Sequence, residues 1–421
     1  MKTSEIISIL KANKKVDGYE LGIENKDSRE LFYVLNHLQI NRAVKTSSAR
    51  MRVYSIDEKG TGSSFIALTA ADNKTTFNKK INNAISKAKV AKNKYYPLPK
   101  KTDNIIEKKS KNIDLNDVAC KIAKAIMKAD VYEDGWINSS EIFVTKYEKE
   151  FYSSNGIKHI TNSFKIEVEC IPTWSNKKEE FELYKFYETN SIDYNEITKE
   201  VNEILTLAKD RSNAKTINDV SIPDDVLVLV KNDMRDLLVE NLVSQLSYRY
   251  QYTKENHYNI GDTISNVPFD LTLKPTIKGC ANSRKYDENG VTLKSKKIIS
   301  ESKVRAIHGD IKFGYYLNEK NITGIIPLSE INAKGIDYQN KKHLIIEHFS
   351  SPQLEESSGY WGGEVRLARY YDGEKYIPLS NFSISGNIYN DIKEINFSKD
   401  VITSPSYKGP KYFIFKGISL H

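Results

Sequence analysis

Cysteine is scarce in this sequence and forms no recognisable cluster. Cys120, Cys170 and Cys280 are the three cysteines of the chain, and none belongs to a CxxC or CxH motif. An odd and widely spaced set of this kind argues against a disulfide framework and against a structural zinc site. We therefore expect a protein of a reducing compartment, the cytoplasm.

Long apolar segments are also missing. No run of about 18 apolar residues occurs, so we expect no membrane-spanning helix. The N-terminal apolar stretch from Ile6 to Leu10 is followed by Lys11 and is too short for the hydrophobic region of a signal peptide. The sequence predicts neither secretion nor membrane insertion.

Common catalytic and phosphate-binding motifs are absent as well. The chain has no GxSxG, Walker or GxGxxG pattern, and none of its seven histidines belongs to an HExxH motif. The nearest histidine pair, His343 and His348, lies in a β-branched run, where residues five apart point to opposite faces of a strand. Cys280 has no neighbouring base or cationic cluster that would activate a thiol. The residues alone indicate no active site.

What the sequence does contain is typical of an ordinary folded protein. Its 421 residues include 63 basic and 55 acidic side chains, a net charge of +8. This positive charge is too small and too evenly spread to predict nucleic-acid binding, which would have to appear as strongly salt-dependent association with DNA. A chain of this length can bury enough apolar surface to fold without disulfides or metals.

Helical and strand patterns divide the chain near residue 220. Four amphipathic helices are predicted before this point: over residues 4–12, after a cap at Asp72 or Asn73, after Asp114, and from Asp193 to Arg211. Strands are predicted for a hairpin over residues 50–70 and for several runs within residues 140–188. We expect an α+β fold, with an N-terminal α/β domain of mixed sheet and helices over residues 1–220.

The second half has a different pattern. The apolar run over residues 226–230 predicts a strand buried on both faces, and residues 232–247 predict a helix after it. From about residue 260 helical periodicity ends, and short strand candidates alternate with turn residues. We therefore expect a β-rich C-terminal domain over residues 221–421, either a sandwich or an open barrel.

One glycine-rich segment in this half is open to two interpretations. It contains Tyr360, Trp361, Gly362, Gly363 and Glu364. The glycines are compatible with a bulge beside packed aromatic residues, and also with a backbone that a peptide or partner approaches closely. We keep these five residues as candidates for peptide binding or for an interface.

Several segments, in the same order along the chain, resemble one known family. Residues 384–388, Ile-Ser-Gly-Asn-Ile, are similar to the family's Ile-Ser-Gly-Asn-Leu, and residues 286–291 resemble its Phe-Asp-x-Glu-Gly-Val stretch. Residues 359–365 resemble its Gly-Asp-Phe-Ser strand, and residues 50–64 and 95–99 resemble an early hairpin and the segment that closes it. The chain is identified as a member of the TldD/PmbA family, also labelled modulators of DNA gyrase, and is more similar to the PmbA (TldE) branch.

The resemblance implies a particular role for the helix over residues 232–247. TldD-type members carry HExxxH on this helix, together with a later cysteine, and hold a catalytic zinc ion. Here the helix contains Asp236, Glu240 and Asn241 but no histidine, and no cysteine follows Cys280. Zinc requires several nitrogen or sulfur ligands. We therefore expect no metal, no cofactor and no catalytic residue in this chain, and expect zinc in a TldD-type partner.

The function implied by the resemblance is that of a TldE/PmbA-like subunit in a cytoplasmic TldD/TldE-type metallopeptidase complex. Such a complex cleaves unfolded peptides in an enclosed chamber. This chain would pair with a metal-bearing TldD-like subunit, form part of the chamber wall and bind the substrate backbone by edge-strand addition. The alternative is a standalone homodimeric binding or scaffold protein of the same fold, without peptidase activity.

Overall fold

The structure is a computed structural model that describes residues 1–69, 71–101, 103–108 and 113–421. The α+β prediction is confirmed, since these residues form helices together with three β-sheets. The α-helices are α1 (Thr3–Ala12), α2 (Lys74–Val90), α3 (Leu115–Ala129), α4 (Tyr194–Ser212), α5 (Asn232–Gln245), α6 (Tyr248–Thr253), α7 (Ile311–Tyr316) and α8 (Ile388–Asp391). Short 3-10 turns cover Ile217–Asp219 and Ile392–Glu394.

The strands fall into an N-terminal and a C-terminal set. The N-terminal set is β1 (Gly18–Val34), β2 (His37–Asp57), β3 (Gly60–Leu68), β4 (Lys92–Asn93), β5 (Gly135–Ser153), β6 (Lys158–Ser175), β7 (Glu180–Glu182) and β8 (Lys185–Thr189). The C-terminal set is β9 (Lys215–Thr216), β10 (Leu227–Val230), β11 (Phe269–Lys274), β12 (Lys296–Ser300), β13 (Lys303–Val304), β14 (Leu328–Ala333), β15 (His343–Phe349), β16 (Gln353–Leu354), β17 (Tyr360–Tyr371), β18 (Tyr376–Ser380), β19 (Phe382–Asn387), β20 (Asn396–Phe397), β21 (Val401–Thr403), β22 (Tyr407–Pro410), β23 (Phe413–Phe415) and β24 (Ser419–Leu420).

The N-terminal sheet has the strand order β4-β3-β2-β1-β5-β6-β7, and β8 also pairs with β6. All of these pairings are antiparallel, so the mixed sheet predicted for this half is wrong. The reason is that β1, β2 and β3 follow one another through turns of two residues, which can join only antiparallel strands. Ala70, the last residue of the predicted hairpin, lies outside the described residues.

Helices α1 to α4 pack on one face of this sheet. Side chains at alternate positions of β1 point toward the helices. Leu21 and Ile23 contact the core beneath α1 and α2, and Leu31 contacts the core beneath α3 and α4. Side chains at the even positions of β1, including Glu24 and Lys26, point to the other face. The predicted N-caps of α2 and α3 are confirmed, with Asn73 and Asp114 as the capping side chains, and the structure shows that Asp193 caps α4.

The C-terminal half is built from two mixed sheets. The larger has the order β20-β23-β10-β15-β17-β18-β9; β16 and β19 also pair with β17, and β24 pairs with β19. The smaller has the order β13-β12-β11-β14-β22-β21. All four residues of β10 are buried, as predicted, and this strand runs parallel to β15 and antiparallel to β23. Residues of both sheets and of α5 share the largest hydrophobic core of the molecule.

The two halves are joined by several specific contacts. Side chains of α4 pack against Leu367 in β17. On the N-terminal sheet, the buried His159 lies 2.9 Å through Nε2 from the carbonyl oxygen of Gly290 and accepts the Ile105 N–H through Nδ1 at 3.1 Å. The division at residue 220 stays a prediction, and β9, just before it, already pairs with β18 of the larger C-terminal sheet.

None of the helices in the described ranges combines the length and the apolar character that crossing a bilayer requires.

Candidate functional site

Helix α5 lies beside a cleft in the C-terminal half. The chain leaves the buried strand β10 and enters the helix at Asn232, whose φ of 50° makes a tight turn. One side of α5 contributes Met234 and Leu238 to the core, and the other borders a cleft of about 230 Å³. The cleft is lined by Asp236, Val239, Glu240, Val243, Ser244, Ile326, Pro327, Ser329, Ser406 and Tyr407.

Asp236 is bound within the protein by a buried arginine. The Arg235 guanidinium, 1% exposed, donates from Nε and Nη2 to Asp236 Oδ1 at 2.8 and 2.6 Å. It also donates to the carbonyl oxygen of Lys411 at 3.2 Å and stacks 4.6 Å from the ring centre of Tyr407. Ser404 donates to Asp236 Oδ2 at 3.3 Å. Burial raises the pKa of Asp236, while the guanidinium and the hydroxyl act in the opposite direction.

Glu240 lies one helical turn further along the cleft. The residue is exposed at the cleft, but neighbouring protein groups displace part of the water around its carboxyl group. This desolvation and the negative charges of Asp236 and Glu356 raise the pKa of Glu240. Glu240 therefore lines the cleft with an exposed carboxyl group whose protonated form is favoured more than in a free glutamate.

Asn241 points to a different side of α5. It is 2% exposed, and its amide oxygen lies 3.5 Å from Gln245 Nε2. The Tyr389 hydroxyl, close to the same amides, donates to the backbone carbonyl of Glu356. Asn241 therefore belongs to a buried polar network and does not share the cleft with Asp236.

The glycine-rich segment lies in the middle of a sheet. Trp361 is fully buried in the C-terminal core, and its indole N–H donates to Asp391 Oδ2 at 2.8 Å. Gly362 faces β16 on one side and β19 on the other, and a Cβ there would lie 2.2 Å from the Ile384 carbonyl oxygen. The backbone at residues 361–362 is thus already paired on both sides and offers no edge for a peptide.

Only the side chains at the two ends of the segment reach the surface. Tyr360 is 47% exposed and Glu364 is also exposed, whereas Gly363 packs against the Ser351 carbonyl oxygen. Peptide or interface contacts by Tyr360 and Glu364 remain a prediction, and Trp361 is a core residue.

Histidine does approach α5 from elsewhere in the chain. His308 Nε2 lies 3.0 Å from the carbonyl oxygen of Val243, and burial lowers the pKa of this histidine to about 4. Burial raises the pKa of the Cys280 thiol to about 11, so this thiol is protonated at neutral pH. Within the described ranges, no three His, Cys, Asp or Glu side chains are grouped so that they could hold one metal ion.

Sequence reasoning did not identify the contacts of the loop over residues 286–291. Asp287, 2% exposed, accepts the N–H groups of Asn289, Val291 and Ile325 at 2.9–3.2 Å. Asn289 in turn donates to the Glu20 carboxylate on β1 at 3.2 Å. The turn residues Asp287 to Gly290 predict a tight loop, but nothing in the sequence indicates that this loop contacts the N-terminal half.

This loop also borders a cleft of about 530 Å³ that lies between the two halves. Its wall carries charges of both signs, including Lys149, Arg284 and Glu288. Such a surface can bind both the ammonium and the carboxylate groups of peptides.

Comparison with known proteins agrees with this architecture. A family model described as the PmbA/TldA metallopeptidase C-terminal domain matches residues 223–420. Residues 223–420 therefore form a domain of the TldD/PmbA family. Among solved structures, TldE from Thermococcus kodakarensis is similar over 99% of both chains, with a TM-score of 0.80 and 14% identity.

Two further structures share the TldD/PmbA fold. One is described as a modulator of a DNA gyrase from Thermotoga maritima, with a TM-score of 0.76, 14% identity and coverage of 99% of this chain and 100% of that chain. The other carries the same description and comes from Bacteroides thetaiotaomicron, with a TM-score of 0.77, 15% identity and coverage of 99% and 97%. At these identities the likeness shows a shared fold. No curated protein matches the sequence.

Proposed function

We propose that this chain is the TldE/PmbA-like subunit of a cytoplasmic TldD/TldE-type metallopeptidase complex that cleaves unfolded peptides. In this role the chain completes the chamber and binds peptide, while a TldD-like partner holds the zinc ion. The observation that carries the proposal is the buried ion pair between Arg235 and Asp236, at the helix where the family resemblance places the metal.

The side chains on α5 do not fit a zinc site. A dication beside Asp236 would lie next to the guanidinium of Arg235, which is buried and already bound to that carboxylate. Asn241 contributes a neutral amide that points into the interior, which leaves Glu240 as a single oxygen ligand. Zinc sites in proteins normally have three or four nitrogen, sulfur or carboxylate ligands. We therefore assign no catalytic step to this helix.

The clefts support the peptide-binding part of the proposal. The cleft of about 530 Å³ between the halves has charged and hydrogen-bonding side chains along its wall. A surface of this kind favours peptides of many sequences over one small ligand. Because β17 is paired on both sides, peptide binding by strand addition at residues 361–362 is no longer part of the proposal.

The proposal is tested by mixing this chain with a TldD-type subunit from the same source. We expect the purified chain alone to contain less than a tenth of a zinc ion per molecule and to leave casein intact, and expect cleavage when both subunits are present. Chelation of zinc should stop the reaction. Chelator-sensitive cleavage of casein by this chain alone would refute the proposal, as would a failure to associate with the zinc-bearing subunit.

A substitution of Glu240 distinguishes a structural role in the chamber wall from a catalytic role. Glu240→Gln removes an exposed carboxyl group from the cleft, and should change cleavage by the complex less than twofold. A loss of more than a hundredfold would show that this chain supplies an acid or base. Lys121→Gln, at an exposed ion pair on α3, is the matched control for substitution of a charge.

A further inference from the structure

Arg284 lies on the wall of the cleft of about 530 Å³ between the two halves, and most of its donors are unused. Its Nη2 donates to the carbonyl oxygen of Ile325 at 3.1 Å. Its Nε is covered by protein and has no hydrogen-bond partner within the described ranges. Its Nη1 is not covered in this way and donates to no residue that the structure describes. A guanidinium carries five N–H donors, so a ligand in the cleft can still bind at Nη1.

The position of Arg284 is fixed by bonds to its own loop and to Ile325. The Arg284 N–H donates to the carbonyl oxygen of Pro275 at 2.8 Å. Ile325, which accepts from the guanidinium, donates its own N–H to Asp287 at 3.2 Å. The Asp287 carboxylate also accepts two N–H groups of its loop, so it is bound to backbone and not to the guanidinium. A cation that is held in place before binding loses little conformational entropy when a ligand arrives.

The two lysines of the same wall already have acidic partners. Lys149 lies 3.0 Å from Glu24 on β1. Lys285 forms an ion pair with Glu107 across the cleft wall. Arg284 is therefore, among the described residues, the cation of this wall that has no carboxylate in hydrogen-bond contact.

We propose that Arg284 binds a carboxylate group of the peptide that occupies this cleft. The assignment rests on the peptide-binding role proposed for the cleft and adds a chemical preference to that role. A guanidinium and a carboxylate form parallel, charge-assisted hydrogen bonds that are stronger than bonds between neutral groups. The carboxylate is either the C-terminus of the peptide or an acidic side chain, since both present the same pair of oxygens.

The rest of the wall favours a ligand group with a single negative charge. Glu288 is exposed on the same wall and would oppose a group that carries more charge, such as a phosphate. Phosphate-binding surfaces normally use clusters of arginines, whereas this wall has one. The neutral hydroxyl groups of Ser163 and Thr276 also line the cleft and suit the peptide backbone.

Calorimetric titration of the chain with three acetylated hexapeptides tests the preference. The first is uncharged apart from a free C-terminal carboxylate, the second is the same peptide as its amide, and the third is the amide with one internal glutamate. We expect the first or the third peptide to bind about tenfold more tightly than the neutral amide, because it gains a charge-assisted bond. Whichever of the two is preferred identifies the source of the carboxylate. Equal affinity for all three peptides, or no saturable binding of any, would overturn the proposal.

Substitutions at two neighbouring cations test the residue. Arg284→Gln should lower the affinity for the preferred peptide to that for the neutral amide, and should leave the affinity for the amide unchanged. Arg284→Lys keeps the charge but not the planar fork, and should bind the preferred peptide several-fold more weakly than the wild type does. Lys285→Gln removes the adjacent, paired cation and is the matched control, which should keep the full preference. A preference that persists in Arg284→Gln, or one that only Lys285→Gln abolishes, would overturn the proposal.

These titrations use the chain without zinc and without a partner. A preference for a carboxylate in a chain that fails to associate with the zinc-bearing subunit would support this inference and refute the subunit role. An active complex formed by a chain without the preference would refute this inference alone. The two failures are therefore distinguishable.

Discussion

Replacing Arg235 with methionine should destabilise the C-terminal half by about 3–4 kcal/mol. The substitution removes a guanidinium that is 1% exposed and leaves a side chain of similar length in its place. Asp236 then loses its charged partner, and the carbonyl oxygen of Lys411 loses a donor.

The magnitude follows from these contacts. Removing one partner of a buried ion pair costs about 3–5 kcal/mol, and the lower end applies here because the Asp236 side chain is 34% exposed and water can solvate part of it. The lost stacking on Tyr407 adds about 1 kcal/mol. Lys121→Met, which breaks an exposed pair with Asp117, should cost less than about 1 kcal/mol.

Hydrogen exchange at the α5 amides measures the opening free energy locally, which avoids treating a chain with two halves as a two-state unit. The decisive comparison is the double variant Arg235→Met/Asp236→Asn. It removes the unpaired, partly buried carboxylate and should be more stable than Arg235→Met alone by about 1.5 kcal/mol or more. A double variant that is no more stable than Arg235→Met would refute the assignment of an internal ion pair.

Three further predictions concern histidine titration, a glycine and a tryptophan. Burial lowers the pKa of His308 to about 4, so its contribution to stability is complete above pH 6.5 and is lost by about 1.4 kcal/mol per pH unit between about 6.5 and 4. His308→Gln should reduce the slope of stability against pH by about this amount in urea titrations at pH 4–7, and the contribution of His348, whose pKa is also lowered to about 4, should remain. Gly290→Ala places a Cβ 2.2 Å from the Phe151 ring at a φ of 80°, and should lower the melting temperature more than Gly373→Ala, which has a φ of 110° but open space around it. Trp361→Phe leaves a buried carboxylate without its donor, and should cost about 2–3 kcal/mol in urea unfolding without changing casein binding.

Local sequence signals predicted the helices of the N-terminal half well. Asn73 and Asp114 cap their helices as expected, since each side chain needs only the N–H groups two or three residues ahead of it. The burial of β10 on both faces was also predicted correctly, because it follows from a continuous apolar run within the strand itself.

The hairpin of β1 and β2 could not be predicted from local sequence signals. Residues 18–49 were not predicted as strands, because the central part of β1, Asn25 to Arg29, is polar on both faces. These residues are held in the sheet by their cross-strand partners, such as Lys45 opposite Asp27, and by β5 on the other side. The hydrophobic pattern of a segment cannot predict pairing with a strand that lies more than 100 residues away in the sequence.

The candidate site has the same limitation. The family resemblance directed attention to α5, but it could not show that Arg235 would be buried, because a sequence pattern treats arginine as a surface residue. Its environment comes from Ser404, Tyr407 and Lys411, which β22 and its neighbouring turns bring to the helix from about 170 residues further along the chain. The chemistry of this helix is therefore decided by which distant groups pack against it. For the same reason, the Arg235 and Asp236 variants test the proposed function more directly than a search for further motifs in α5.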